Sequence, residues 1–254
     1  MRRIHLFLIV AALFAAAACT HEMKTATAAD QGKIELEGHE GYGCSWTYSM
    51  EYVTEGLSQE VMDKINQTII ESGIGYEVVG MPPVVPTFCL HWVEDIDSEY
   101  SAFADEVMPE LDEDDEPWMM NWTYSLDGSF STGCAARHLR TYEVMDDSYT
   151  GGAHGSTYNT FFVFDMTTGR RITEADLFKD GYDSEIAGTI NDRVLDGLDE
   201  ELWDAIYEVP LPNGNFSVDE KGLTWHYNPY EIGPYVLGPL SATFTWDELA
   251  PYLK

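Results

Sequence analysis

Apolar and polar residues alternate from 44 to 52. Cys44, Trp46, Tyr48, Met50 and Tyr52 occupy the even positions and mainly Ser, Thr and Glu the odd ones, which predicts a strand with one buried face. The period then lengthens: Ser58 precedes Val61, Ile65 and Ile69 at a spacing of four, so a helix is predicted with Ser58 as N-cap and Gly73 as its stop. Residues 74–92 hold three prolines and two apolar clusters and read as an irregular excursion or an edge strand. A second helix is predicted at about 98–111, where Tyr100, Phe103, Val107 and Leu111 share a face.

Period two returns at Trp118, Met120, Trp122, Tyr124 and Leu126. Asp127-Gly128 then reads as a hairpin turn, with a return strand from 129 to about 145. Residues 156–165 form another strand, with Tyr158, Thr160, Phe162 and Phe164 on one side and Phe161 and Val163 on the other. Ile186, Ile190, Val194 and Leu198 predict a helix over 183–198. A turn at Asn213-Gly214, strands near 216–218, 223–227 and 240–245, and a short C-terminal helix at 246–252 complete the pattern. Strands and helices do not alternate in βαβ fashion. The expected class is α+β, a mainly antiparallel sheet with helices packed on one face, compatible with two packed subdomains.

The first residues stand outside this pattern. Arg2 and Arg3 precede a mostly apolar stretch and then small residues before Cys19, which reads as a lipoprotein export signal over 1–18 with Cys19 lipidated. Multiple acyl chains on that residue give stable membrane anchoring. Ordinary cleavage after Ala17 or near Ala28 is the alternative, because Ala16 stands where such signals usually carry Leu. Residues 19–33 are small and polar and read as a flexible tether. The folded part is then divided as an N-terminal α+β subdomain over 34–140 and a C-terminal domain over 141–254. The predicted location is the cell envelope, lipid-anchored on the periplasmic or extracellular side.

Charge narrows the partners. The 254 residues carry 13 Lys and Arg against 45 Asp and Glu, a net charge of −32. Removing residues 1–18 takes away two arginines and no acid, which deepens it to −34. Such a field repels phosphate backbones, so nucleic acid is excluded as a partner. Twelve acids and no base fall in 93–117; the stretch reads as a docking surface for a cationic partner or as a solvated acidic loop. Of the three cysteines beyond Cys19, Cys44 and Cys134 lie in strand-like segments and are the preferred disulfide pair; all three as small buried hydrophobes is the alternative.

Motifs for known chemistry are missing. The chain has no Gly-x-Ser-x-Gly elbow, no phosphate-binding loop, no Rossmann fingerprint, no Cys-x-x-Cys and no His-Glu-x-x-His, so no cofactor and no metal are predicted. Two stretches remain. In YTGGAHG at 149–155, adjacent glycines permit close backbone approach and leave His154 between small residues. His154 reads as a ligand contact or acid/base group, or as a turn histidine bonded to backbone. In WHYNPYEIGPY at 225–235, three tyrosines, one tryptophan and two prolines make a stiff aromatic loop, suited to binding sugars or proteins or to sealing a core.

YTGGAHG, the following FFVFDMTTGRRITEADLF and the late GLTWHYNPYEIGPYVLGPLSATFTWDELAPYL together resemble a bacterial envelope domain of unknown function. That domain forms the extracellular part of the RsiV anti-sigma factor and precedes the catalytic domain of PdaC-type peptidoglycan deacetylases. The resemblance is specific over about 142–253 and looser over 44–73. It implies a non-catalytic module, which in the RsiV case binds lysozyme. The motif positions that carry over as candidate ligand contacts are Tyr149, Gly151, Gly152, His154, Tyr227 and Tyr230. Only residues 1–3 precede the apolar stretch, and no deacetylase motif is present, so neither sigma-factor control nor deacetylation carries over.

Three functions remain on this reading. The first is a lipid-anchored binding module for a basic envelope protein such as lysozyme, or for a glycan such as peptidoglycan. The second is an envelope hydrolase using His154 or His226 with a nearby carboxylate as acid/base pair. The third is a structural lipoprotein.

Overall fold

A computed structural model describes residues 2–5, 22–36, 42–110 and 121–254, with side chains from residue 22 onward and not at 110. Cys19 lies outside them, as do Trp118, Met120 and the acids at 112–116. The chain falls into two compact units. The first comprises 1–129 and 145–157, the second 130–144 and 158–254. The sequence suggested a single cut near 140. The chain instead crosses between units three times, because the strands around 130, 144 and 157 run on through the boundary.

In the first unit, β1 (Arg2–His5) pairs antiparallel with β2 (Lys24–Glu35), β2 antiparallel with β3 (Gly43–Glu55), and β3 parallel with β4 (Asn121–Phe130). The parallel pair needs a crossover, and α1 (Gln59–Thr68) and α2 (Val85–Val107) supply it. Both helices pack on the face of β3 that buries Cys44, Trp46, Tyr48 and Met50. Ser58 caps α1, accepting from the Val61 N–H. The helical stretch does not stop at Gly73; it runs on as a π-helical turn, Ile69–Ile74, which buries Ile69, Ile70 and Ile74.

Three expectations are corrected here. Residues 24–33, read as tether, are strand. This stretch lacks large apolar residues because its partner supplies them: Ala28 faces Met50, and Gly32 faces Trp46, whose ring lies where a Cβ on residue 32 would stand 2.2 Å from it. Residues 85–92, read as irregular, open α2, since Pro86 falls in its first turn, where no N–H is required. Asp127-Gly128 is not a turn but lies inside β4, paired with Ser49 and Met50.

The second unit takes the remaining strands and helices. β5 (Leu139–Tyr149) and β6 (Ser156–Asp165) enter it, and β6 pairs antiparallel with β7 (Arg171–Ile172). Then come α3 (Glu174–Leu177) and α4 (Tyr182–Asp196). A separate antiparallel sheet follows in the order β10–β9–β8, built from β8 (Phe216–Val218), β9 (Gly222–Tyr227) and β10 (Leu240–Thr245), and α5 (Trp246–Leu249) ends the chain. Ile186, Ile190 and Val194 of α4 pack with Phe216, Trp225 and Phe244 in one core. Buried Thr141 ties β5 to β8: its hydroxyl donates to Val218 O (3.1 Å) and accepts from Val218 N–H (2.9 Å). The α+β class holds, with one parallel strand pair among the described antiparallel ones. No helix of the described residues is long and apolar enough to cross a membrane.

Buried Asn66 joins α1 to β3 where the β2–β3 register shifts: Val53 N–H donates to its Oδ1 (3.0 Å) and its Nδ2 donates to Val53 O (2.9 Å). An Asn66→Leu substitution strands both backbone groups. We expect a loss of about 2–4 kcal/mol, read as a lower urea midpoint by circular dichroism.

Candidate functional site

Candidate site residues fall in both units. In the first, Gly151 and Gly152 turn the hairpin between β5 and β6 with φ of 95° and 101°, values that only glycine adopts cheaply. The Tyr149 hydroxyl donates to Gly152 O (3.0 Å), and His154 Nδ1–H donates to Gly155 O (2.8 Å). These contacts are local and hold the hairpin tip in shape, with His154 exposed.

In the second unit Tyr227 and Tyr230 part company. Tyr227 is buried on the core face of β9, its hydroxyl donating to Leu211 O (2.9 Å), so it seals the core and presents no ligand surface. Burial holds its phenol well above the usual range. Tyr230 is 53% exposed, sits in the left-handed region at φ 70°, and pairs its ring with Tyr235 at 5.7 Å. Tyr207 donates through its hydroxyl to Tyr230 O (2.6 Å), so the stretch after α4 lies alongside this loop. Tyr207, Val209, Leu211, Tyr230, Tyr235 and Val236 are all exposed. Glu200, Glu201, Asp204 and Glu208 are exposed along the same stretch. The result is an apolar aromatic ledge with carboxylates and no cation in 199–208.

The opposite alternation of β9 opens a cleft of about 540 Å³ within the second unit. Leu223, Trp225 and Tyr227 point inward, while His226 faces out opposite Ser241 of β10. The His226 ring stacks on Phe161 (3.8 Å between centroids, 15° between planes), and its Nε2 shares a 2.8 Å hydrogen bond with Ser217 Oγ on β8. Burial alone pushes the imidazole down to about 4, so it is neutral at neutral pH. Glu143, Asn159 and Asp219 also line the cleft.

Asparagines frame it. Asn228 Oδ1 accepts from Asn159 N–H (2.7 Å) and its Nδ2 donates to Asn159 O (3.1 Å). Asn215 accepts from Phe161 N–H (2.9 Å) and donates to Asn159 O (3.0 Å). Asn213 donates to His226 O (2.8 Å). Asn215 and Asn228 do the work of a strand partner for β6 at 159–161, ahead of its short pairing with β7, and hold Phe161 beside His226. The sequence reading missed Asn159, Asn215, Asn228 and Ser217. The local pattern marks only Asn213-Gly214, as a turn.

The arrangement suits holding a ligand better than proton transfer. No carboxylate contacts His226 among the described residues, and burial opposes the imidazolium a general base must form. The proposed Cys44–Cys134 disulfide is not formed. Cys44, Cys89 and Cys134 are free and buried, Cys44 facing the first unit's core and Cys134 the second's. Burial pushes the Cys44 and Cys89 thiols up to about 12, so they behave as small core hydrophobes. Among the described residues no group of three His, Cys, Asp or Glu could hold a metal.

The depressed His226 pKa couples stability to pH. The unfolded imidazole takes up a proton near 6.5 and the folded one only near 4. Its contribution is thus full above pH 6.5 and is lost as pH falls towards 4, by about 3 kcal/mol in all. The difference in urea midpoint between the parent and His226→Phe is expected to shift in favour of the variant over that window and to stay flat above it.

Residues 175–247 match DUF3298, described as a protein of unknown function. No curated protein matches the chain. The crystal structure of a DUF3298 family member from Bacteroides fragilis superposes with a TM-score of 0.80 at 21% identity, covering 91% of this chain and 94% of that one. A DUF3298 family protein from Pseudomonas aeruginosa superposes with a TM-score of 0.60 at 12% identity, over 92% and 95% of the two chains. The chain thus has the fold of solved DUF3298 proteins, and its stretch from α3 to the start of α5 carries the match to that family of unknown function.

Proposed function

We propose that this protein is a lipid-anchored module of the bacterial envelope that binds a basic protein partner without transforming it. The ledge of Tyr207, Tyr230, Tyr235 and Val236 beside exposed acids is the observation that carries this reading. Exposed aromatics supply contact area at low entropy cost, and clustered carboxylates steer a cation towards them. The net charge of −32 acts in the same direction at longer range. The resemblance to the RsiV extracellular domain makes lysozyme the first partner to test. Anchoring through Cys19 belongs to the same reading and is tested by the intact mass of the mature chain, expected to begin at an acylated Cys19.

Isothermal titration of lysozyme into the purified protein is the direct test. Binding is expected at low salt and is expected to weaken as salt rises. The double substitution Tyr230→Ala, Tyr235→Ala is expected to weaken it about tenfold while leaving the urea midpoint unchanged. An absence of binding heat at low salt refutes the lysozyme version.

A further inference from the structure

In the first unit, residues 78–84 read VVGMPPV and carry no charge in a chain with 45 acids. Val79, Met81 and Val84 are 74%, 51% and 46% exposed within this loop. Apolar side chains held out in water this closely together mark a contact surface. No carboxylate stands among them to meet a basic partner, so the chemistry of the aromatic ledge does not recur here. The loop is fixed at both ends. The Gly75 and Tyr76 N–H groups donate to Ile70 O (2.9 and 3.2 Å), the Tyr76 ring packs on Phe88 and His91, and Val85 is buried as α2 begins. Pro82 and Pro83 have φ set by their rings, which lowers the ordering cost of a contact.

α2 runs antiparallel to β3: Trp92 lies against Tyr48, and Tyr100 lies against Trp122, the neighbour of Cys44. The N-terminal end of α2 and the loop before it therefore turn towards the Val53–Glu55 end of β3. The chain enters the fold at that same end. Lys24 pairs with Glu55, and Glu22 passes so close to Gly56 that a Cβ there would stand 2.1 Å from Glu22 O. From Cys19 to Glu22 is three residues, a reach of about 10 Å at full extension. A chain acylated at Cys19 thus keeps this end of the first unit at the bilayer surface. β1 lies within the leader and leaves with it.

We infer that the loop 78–84 is a second membrane contact, with Val79, Met81 and Val84 entering the lipid interface beside the acylated Cys19. This rests on the proposed anchoring through Cys19. The acyl chains hold the protein at the membrane, and the loop fixes the orientation of the first unit upon it. The net charge of the mature chain opposes anionic headgroups, so the contact is made with a neutral lipid surface and through apolar area.

The test couples the mature chain, beginning at Cys19, through that thiol to a maleimide lipid in phosphatidylcholine vesicles; Cys44, Cys89 and Cys134 are buried and stay unmodified. Hydrogen exchange read by mass spectrometry compares the coupled and uncoupled chains. The amides of 78–84 are expected to exchange about fivefold more slowly on vesicles. Those of the hairpin tip at 150–153 are expected to be unchanged, since neighbouring Asp147 lies beside Ser45 and Thr47, towards the other end of β3. The double substitution Val79→Asp, Met81→Asp is expected to abolish the protection and leave the urea midpoint unchanged, both positions being exposed, whereas Met81→Leu is expected to keep it. The inference is overturned if the loop exchanges equally on and off vesicles, if the double variant is protected as the parent is, or if the hairpin tip slows by as much as the loop. Intact mass of the native protein separates the two readings: a chain without acyl groups on Cys19 refutes the anchoring and the inference with it, and an acylated chain whose loop stays unprotected on vesicles refutes the inference alone.

Discussion

One strand sets the terms of the second unit. β9 is hydrogen-bonded on both edges, to β8 and β10, so its side chains can only alternate. Leu223, Trp225 and Tyr227 must go into the core, and His226 must go out of it. Trp225 is fully buried, and its indole N–H donates to Glu174 Oε1 (2.7 Å), which also accepts from Gly214 N–H (3.0 Å). A one-residue slip would bury the imidazole and expose the indole, so the core and the cleft stand or fall on the same register.

Given that register, the polar network follows from the need to pair backbone groups at a strand edge. Along 159–161, ahead of its pairing with β7, the edge of β6 has asparagine side chains as partners in place of a strand. Asparagine suits this role because its amide offers a donor and an acceptor with the geometry of a peptide group. The cost is rigidity: Phe161, His226 and Ser217 have little freedom once the amides are in place. The surface around His226 is therefore fixed in shape by its own hydrogen bonds and ring stacking.

Electrostatics works at two scales. The large negative charge acts over the whole chain and sorts partners by sign without choosing among them. Choice comes from local shape. The aromatic ledge offers exposed contact area, and the cleft is lined by hydroxyls and two carboxylates with no Lys or Arg. The hairpin carrying Tyr149, Gly151, Gly152 and His154 offers neither in its described contacts, since Tyr149 and His154 bond to the hairpin's own backbone. Residues that make a motif recognisable are in this instance residues that shape a turn.

Periodicity in the sequence was sufficient wherever an element buries one face by its own side chains. The strand after Gly43, the helix capped by Ser58, the strand 156–165, the helix with Ile186, Ile190 and Val194, and the three short strands of the second unit were all legible for that reason. Where burial depends on a neighbour, local pattern was silent. β2 carries Ala28 and Gly32 where Met50 and Trp46 fill the space, and Asp127-Gly128 stays extended because a parallel partner holds it. The exposed tyrosine at 230 and the buried one at 227 look alike in a run of aromatics; β9 alternation buries Tyr227, while Tyr230 stands on the turn after the strand at positive φ. The cleft was invisible for the same cause. Glu143, Asn159, Ser217 and His226 come from four different strands, and their meeting is a property of packing over long sequence distance rather than of any local spacing.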